Sequence, residues 1–279
     1  MHKGGHLILD LLKRISIIML LIIPTQMFSE KSSETIEINK LRNKIVDLSN
    51  YSNTQLVENE IRKNHKLAKY QASLLIKVVS YEIYISLLNQ GSKRSFQEIE
   101  SIVWTAYQSS WIFTDFGNDH IDRLEVILQW AKDESGFRED TKVSWKAGTY
   151  LKSINKTVPK DTTDYGAWQI NEDHYESMKY INHLYDSGVI NFKIKKLNKK
   201  EDLMDLGTNC VARCIIETDR KERGWEWKHI RSKDFKKTFA RVMKKIEEEG
   251  YYDRKFVEKY YHIIPVKVYS RKKIKTAGM

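Results

Sequence analysis

Between residues 120 and 136 the apolar positions Ile121, Leu124, Ile127, Leu128 and Ala131 recur at steps of three and four. That spacing predicts a helix with one buried face, capped at its start by Asn118 or Asp119 and stopped by Gly136. Continuing the step from Ala131 puts Glu134 on the buried stripe. A carboxylate there, at the negative end of the helix dipole and partly desolvated, is expected to have a raised pKa, as a general acid working near neutral pH requires. The alternative is a solvent-facing glutamate on a frayed last turn.

The same periodicity predicts helices elsewhere. Ile38, Leu41, Ile45 and Leu48 form a short heptad-like seam, and Leu67, Leu74, Leu75, Val78, Val79 and Ile83 a stronger stripe. Gly91 and Ser92 break the chain before a third helical candidate, Phe96 to Phe113, whose Trp104, Tyr107, Trp111 and Phe113 have a helical spacing that suits packing, with stacking on sugar rings as the alternative. No proline falls between Pro24 and Pro159. Residues 138–163 lose periodicity and read as an extended loop with one short helix at most. A tight turn at Asp164-Tyr165-Gly166 is then expected to lead into a strand, with Trp168 and Ile170 on one face and Ala167, Gln169 and Asn171 on the other. Leu203, Leu206, Cys210 and Cys214, with Val211 and Ile215, predict a buried helix. Gly224 to Trp227 reads as a turn, and Phe235 to Glu249 as a charged amphipathic helix ending at Gly250. The tail from Tyr251, with Arg271, Lys272, Lys273 and Lys275, reads as a solvated end. The expected class is mainly α with a small β-hairpin.

Composition adds an address. Lys3, Lys13 and Arg14 precede an apolar run from Ile15 to Phe28, after which polarity rises at Ser29 and Glu30. This reads as a secretory signal over residues 1–29, with an uncleaved anchor as the alternative, and implies export to the periplasm or cell envelope. The formal net charge is +11, and the three bases and one acid (Asp10) of residues 1–29 leave +9 beyond them. For an exported protein that charge suits an anionic envelope polymer or membrane surface and argues against nucleic acid. Two cysteines, four residues apart, provide neither a disulfide framework nor a zinc site, so no metal or organic cofactor is expected.

Taken together, Glu134-Ser135-Gly136-Phe137, then Thr163-Asp164-Tyr165-Gly166-Ala167-Trp168-Gln169-Ile170-Asn171, then the helix around Asn209, resemble the lysozyme-like superfamily, and within it lytic transglycosylases of the soluble type. The resemblance covers roughly residues 118–230. It implies an α+β lysozyme-like domain over residues 116–250, between a helical N-terminal region (30–115) and a basic tail (251–279). It further implies cleavage of the β-1,4 bond between N-acetylmuramic acid and N-acetylglucosamine in peptidoglycan. Glu134 is the implied acid and base. Asp164 would stabilise the oxocarbenium or act as nucleophile, unless it is only a turn residue. Ser135 would orient Glu134, and Tyr165, Gly166, Trp168, Gln169 and Asn171 would contact the glycan. No Ala-Tyr-Asn-Ala-Gly motif follows the third helix, so the family's tyrosine has no counterpart. The signal segment and the lack of a disulfide framework favour 1,6-anhydro product formation, whereas Asp164 favours a hydrolytic muramidase. A non-catalytic peptidoglycan-binding protein is the other alternative, and the N-terminal helices could bind an envelope protein partner.

Overall fold

The structure, a computed structural model, describes residues 33–152, 155–224 and 233–261. The expected signal, the two tryptophans after Gly224 and the basic run from Arg271 lie outside these residues. The chain divides into two compact units, residues 1–59 and 60–279. A long helix, α1 (Ser33–Leu88), begins in the first unit and ends in the second. The backbone of the Ile38–Leu48 seam is helical, and its side chains are outside the described set. Leu56–Leu88 is long and apolar enough to cross a membrane by length and composition, and 33% of its most apolar window is buried.

The second unit is mainly helical with a small β part. In the second half of α1 the buried row is Ala68, Ala72, Leu75, Ile76, Val79 and Ile83. The expected stripe merged this row with its neighbour: Leu67 is exposed and Leu74 and Val78 are half-buried. Helix α2 (Phe96–Ile112) opens with a capping box, Ser95 accepting from the Glu98 amide while Glu98 accepts from the Ser95 amide. It buries Ile99, Ile102, Val103, Ala106 and Tyr107, and packs on α3 (His120–Ser135). Helices α2 and α3 therefore share one core.

Helix α3 has the expected ends. Asp119 accepts from the amides of Ile121 (2.8 Å) and Asp122 (2.9 Å). Gly136 takes the left-handed conformation (φ 61°), and the amides of Gly136 and Phe137 close on the carbonyls of Lys132 and Ala131. Ile121, Leu124, Ile127, Leu128 and Ala131 are all buried.

The segment read as an irregular loop instead holds most of the β structure. Strands β1 (Lys142–Trp145), β4 (Thr162–Tyr165) and β5 (Ile170–Asn171) form an antiparallel sheet in the order β1-β4-β5. Two-residue strands β2 (Tyr150–Leu151) and β3 (Lys156–Thr157) form a separate hairpin. These strands are two to four residues long and mostly half-buried or exposed, so no apolar alternation marks them in the sequence. Asp164 pairs with Val143 on one side and Asn171 on the other, and is a strand residue rather than a turn residue. The turn comes later, over Gly166 to Gln169, with Gly166 (φ 73°) and Gln169 (φ 47°) both left-handed.

Short helices α4 (Tyr175–Met178) and α5 (Tyr180–Asp186) follow, then α6 (Leu206–Glu222), capped by Asp205, whose side chain accepts from Thr208. On α6, Cys210 and Cys214 are free thiols, both fully buried, and Cys210 donates to the Ser109 hydroxyl on α2 at 3.2 Å. Helix α7 (Lys233–Glu248) packs against α3. The chain after Gly250 is not a solvated end as far as Tyr261. Helix α8 (Arg254–Tyr260) docks, with Tyr252 and Val257 buried. His120, fully buried and stacked on Trp111 at 4.1 Å, bonds Tyr252 through Nε2 and contacts Glu258 through Nδ1 at 3.3 Å. The polar atoms of a buried histidine are thus satisfied by the segment that covers it.

Candidate active site

The turn between β4 and β5 is fastened to two helices. The indole N–H of Trp168 donates to the Ile127 carbonyl on α3 at 2.9 Å. From α6, the Asn209 side chain accepts from the Trp168 amide (2.8 Å) and donates to the carbonyls of Tyr165 (2.7 Å) and Leu203 (2.8 Å). A single buried amide therefore satisfies three main-chain groups of the turn and its surroundings. These bonds join the Glu-Ser helix, the Asp-Tyr-Gly stretch and the helix around Asn209 into one substructure.

Around this anchor the expected site residues separate into two sets. Trp168 is 0% exposed and Tyr165 is 3% exposed, so neither presents a face to a ligand. Both belong to the core, as does Gly166, packed against Asn209. Gln169 donates its amide to the carbonyls of Gly166 (2.7 Å) and Thr141 (3.2 Å), closing the turn. Ser135 is also buried: its hydroxyl donates to the Ala131 carbonyl (3.1 Å) and accepts from the Arg138 amide (2.9 Å). It finishes the helix and makes no bond to Glu134.

The other set keeps access to solvent. The Glu134 side chain is 35% exposed, and Oε1 lies 2.7 Å from Nη2 of Arg213 on α6. The apolar enclosure expected for it is absent, because from Ala131 the residue that turns inward is Ser135, four steps on, and not Glu134, three steps on. Asp164 is half-buried on β4. Its Oδ2 accepts from the Trp145 indole at 2.8 Å and its Oδ1 from the Asn171 amide at 2.8 Å. Asn171 in turn accepts from Thr162 (3.0 Å) and from the Asp173 amide (3.0 Å), so it orients Asp164 and caps the next turn.

Sequence reasoning missed the charged row on α6. Arg213, Glu217 and Arg220 are spaced four and three apart on one face. The Glu217 side chain is only 5% exposed; its Oε1 lies 2.9 Å from Nε of Arg213 and 2.7 Å from Nη1 of Arg220. Arg213 also lies over the Trp130 ring, 5.8 Å from its centre. His174, after β5, lies within electrostatic reach of Arg220, Arg213 and Asp164; burial, then Arg220, pushes its pKa below the ordinary imidazole value. The signal for this row was available as an Arg-x-x-x-Glu-x-x-Arg pattern that starts inside the apolar stretch from Cys210 to Ile216.

The arrangement presents one solvent-reaching carboxylate with a cationic partner, and a second carboxylate whose two oxygens are each held by a donor. Among the described residues no group of three or more His, Cys, Asp or Glu side chains is placed to hold a metal ion. No protein-family model, curated protein or solved structure matches the chain.

Proposed function

We propose that this chain is a peptidoglycan lytic transglycosylase that acts in the cell envelope, with Glu134 as its acid and base. The observation that carries the reading is the Trp168–Ile127 bond, which ties the Asp-Tyr-Gly-Ala-Trp-Gln-Ile-Asn stretch to the helix ending in Glu134. In the proposed reaction Glu134 gives a proton to the glycosidic oxygen as the C1–O4 bond breaks. The resulting carboxylate takes the proton from the 6-hydroxyl of the same sugar, and the O6–C1 bond closes a 1,6-anhydro ring. Glycan and Glu134 both end with the atoms and protons they began with, and no water is consumed.

The fixed oxygens of Asp164 favour this route over a hydrolytic one. Each oxygen already accepts one hydrogen bond, from Trp145 or from Asn171, which fixes its direction and lowers its nucleophilicity. In this reading Asp164 stabilises positive charge at a distance and Asn171 holds it, while Trp145, Trp168, Tyr165, Gly166, Gln169 and Ser135 build the frame.

The test is mass spectrometry of the muropeptides released from purified peptidoglycan by the wild type and by Glu134→Gln. Products about one water (~18 Da) lighter than reducing-end muropeptides, absent with Glu134→Gln, are expected from an acid–base role. Reducing ends would establish a muramidase. Binding to peptidoglycan without any product would establish a non-catalytic wall-binding protein.

A further inference from the structure

Helix α1 carries a second apolar row that the core does not use. Leu67, Leu74, Tyr81 and Leu88 recur at steps of seven. Val78 and Ile85 each stand four residues after one of them and three before the next. At about 100° per residue, this row is centred roughly 150° around the helix from the buried row of Ala68, Ala72, Leu75, Ile76, Val79 and Ile83. It is open to solvent: Leu67, Tyr81 and Leu88 are 46%, 56% and 49% exposed, and Leu74, Val78 and Ile85 are half-buried. The whole row, residues 67–88, lies within the second unit.

Steps of four and three that close on seven are what a partner helix requires, whereas packing on a globular core follows the 3.6 period and lipid asks only for apolarity. Lipid cannot surround α1 in any case, because its other face is packed into the protein core. In the heptad, Leu67, Leu74, Tyr81 and Leu88 take the d position and Val78 and Ile85 the a position. Branching at the β carbon at a, with leucine at d, favours two parallel strands. The remaining a position is Gln71, whose side-chain oxygen is taken by the Asp253 amide at 2.9 Å. Charge agrees with the parallel direction. The exposed Lys77 stands at g and Glu82 at the e position five residues on, the two places that meet across such a seam. Within the chain, Glu82 reaches Arg241 at 4.0 Å, a long contact that leaves its side chain 37% exposed.

We propose that residues 67–88 pair with the same residues of a second copy of this chain, as a parallel, in-register two-stranded coiled coil. The interface is isologous, so each a and d side chain meets its own counterpart. The pairing is independent of the glycan chemistry proposed above.

Because like meets like, Tyr81→Cys in the purified full chain is expected to form a disulfide-linked dimer on oxidation with diamide. Ser73→Cys, exposed on the same helix but off the row, is expected to stay unlinked. The native thiols of Cys210 and Cys214 are fully buried and do not compete. Sedimentation equilibrium should show a wild-type dimer that Leu67→Glu/Tyr81→Glu dissociates without moving the urea midpoint. Lys77→Glu should weaken the dimer by ~2- to 5-fold, the scale of an exposed ion pair, and Lys77→Glu/Glu82→Lys should restore it. A monomer without the Tyr81→Cys link overturns the proposal, as does a dimer that Leu67→Glu/Tyr81→Glu leaves intact. A dimer in which Tyr81→Cys links no better than Ser73→Cys overturns the parallel register. A monomer whose binding to anionic phospholipid vesicles is lost in Leu67→Glu/Tyr81→Glu assigns the row to a membrane surface instead. Should Leu67→Glu/Tyr81→Glu fail to fold, the comparison of the two cysteine variants decides alone.

Discussion

A methyl group placed on Gly166 would stand 2.6 Å from Cγ of Asn209, a separation no real side chain tolerates. The close approach is what lets the Asn209 amide reach the carbonyl of Tyr165 and the amide of Trp168 on either side of the glycine. Glycine is required here twice, for its left-handed φ of 73° and for its missing Cβ.

Gly166→Ala is therefore expected to cost well over 1 kcal/mol, since the backbone penalty adds to a clash with a buried and fully bonded amide. Gly91→Ala separates the two effects. That glycine has a similar φ, 78°, with nothing within 4 Å of an added Cβ, and should lose about 1 kcal/mol or less. Urea unfolding of both variants gives the comparison, and equal losses would mean that the Asn209 contact contributes nothing.

Trp168→Ala removes a fully buried indole together with its bond to Ile127, and should destabilise by about 3–5 kcal/mol. Trp168→Phe keeps most of the volume and should lose about 1–2 kcal/mol, for the hydrogen bond and a small void. Denaturant midpoints at constant slope check both. A wild-type midpoint for Trp168→Ala would contradict its place in the core.

Asp119 gives stability a pH dependence. Burial raises its pKa, but the Asp122 amide, with the hydrogen bond and charge of Arg254, outweighs burial and holds the folded value below the ordinary 3.8. A depressed carboxylate contributes stability above its unfolded value and loses it as pH falls through the folded value. Asp119→Asn keeps an acceptor for the helix cap but loses the charge opposite Arg254. It is expected to be less stable than wild type by ~0.5–1 kcal/mol at pH 7, a figure kept small because the pair is partly solvated. The difference should shrink as pH falls through the depressed folded value of Asp119 and vanish below it. A gap that stays constant as pH falls from 7 through the whole acid range would refute the electrostatic origin.

His120→Ala removes the imidazole that joins Trp111, Tyr252 and Glu258. The expected loss is about 2–4 kcal/mol, by analogy with truncation of other buried side chains. Hydrogen exchange should show protection falling first at the amides of Tyr251–Tyr261, with the β1-β4-β5 sheet retained. Uniform loss across the domain would mean that α8 is not a separable cover.

Much of the helical framework could be read directly. The ends of α3 follow from Asp119 and Gly136 and the stop of α7 from Gly250, because caps and glycine stops act locally; the break before α2 is legible at Gly91 and Ser92, whereas its cap is Ser95. Counting a single step of three from Ala131 misreads the end of the stripe. At about 100° per residue, Ser135 lies nearer than Glu134 to the centre of the face set by Ile121, Leu124, Ile127, Leu128 and Ala131. The last turn resolves in favour of Ser135 because its hydroxyl can bond the Ala131 carbonyl, while Glu134 has a cation waiting on α6. Nothing local announces that cation, which lies 79 residues along the chain. The environment of Asp164 was hidden for the same reason, since Trp145 and Asn171 reach it only through strand pairing. The gathering of the three motifs was legible only as a resemblance.

The docking of α8 has a consequence for the order in which the chain can close. His65 Nδ1 contacts the Tyr260 carbonyl at 2.8 Å across 195 residues, and His120 meets Tyr252 across 132. A polypeptide emerging from its N-terminus, whether from a ribosome or through a translocation channel, exposes the faces of α1 and α3 long before the residues that cover them exist outside. The core stays open until about residue 261 has cleared the exit, so the unit is expected to finish folding after release rather than during passage.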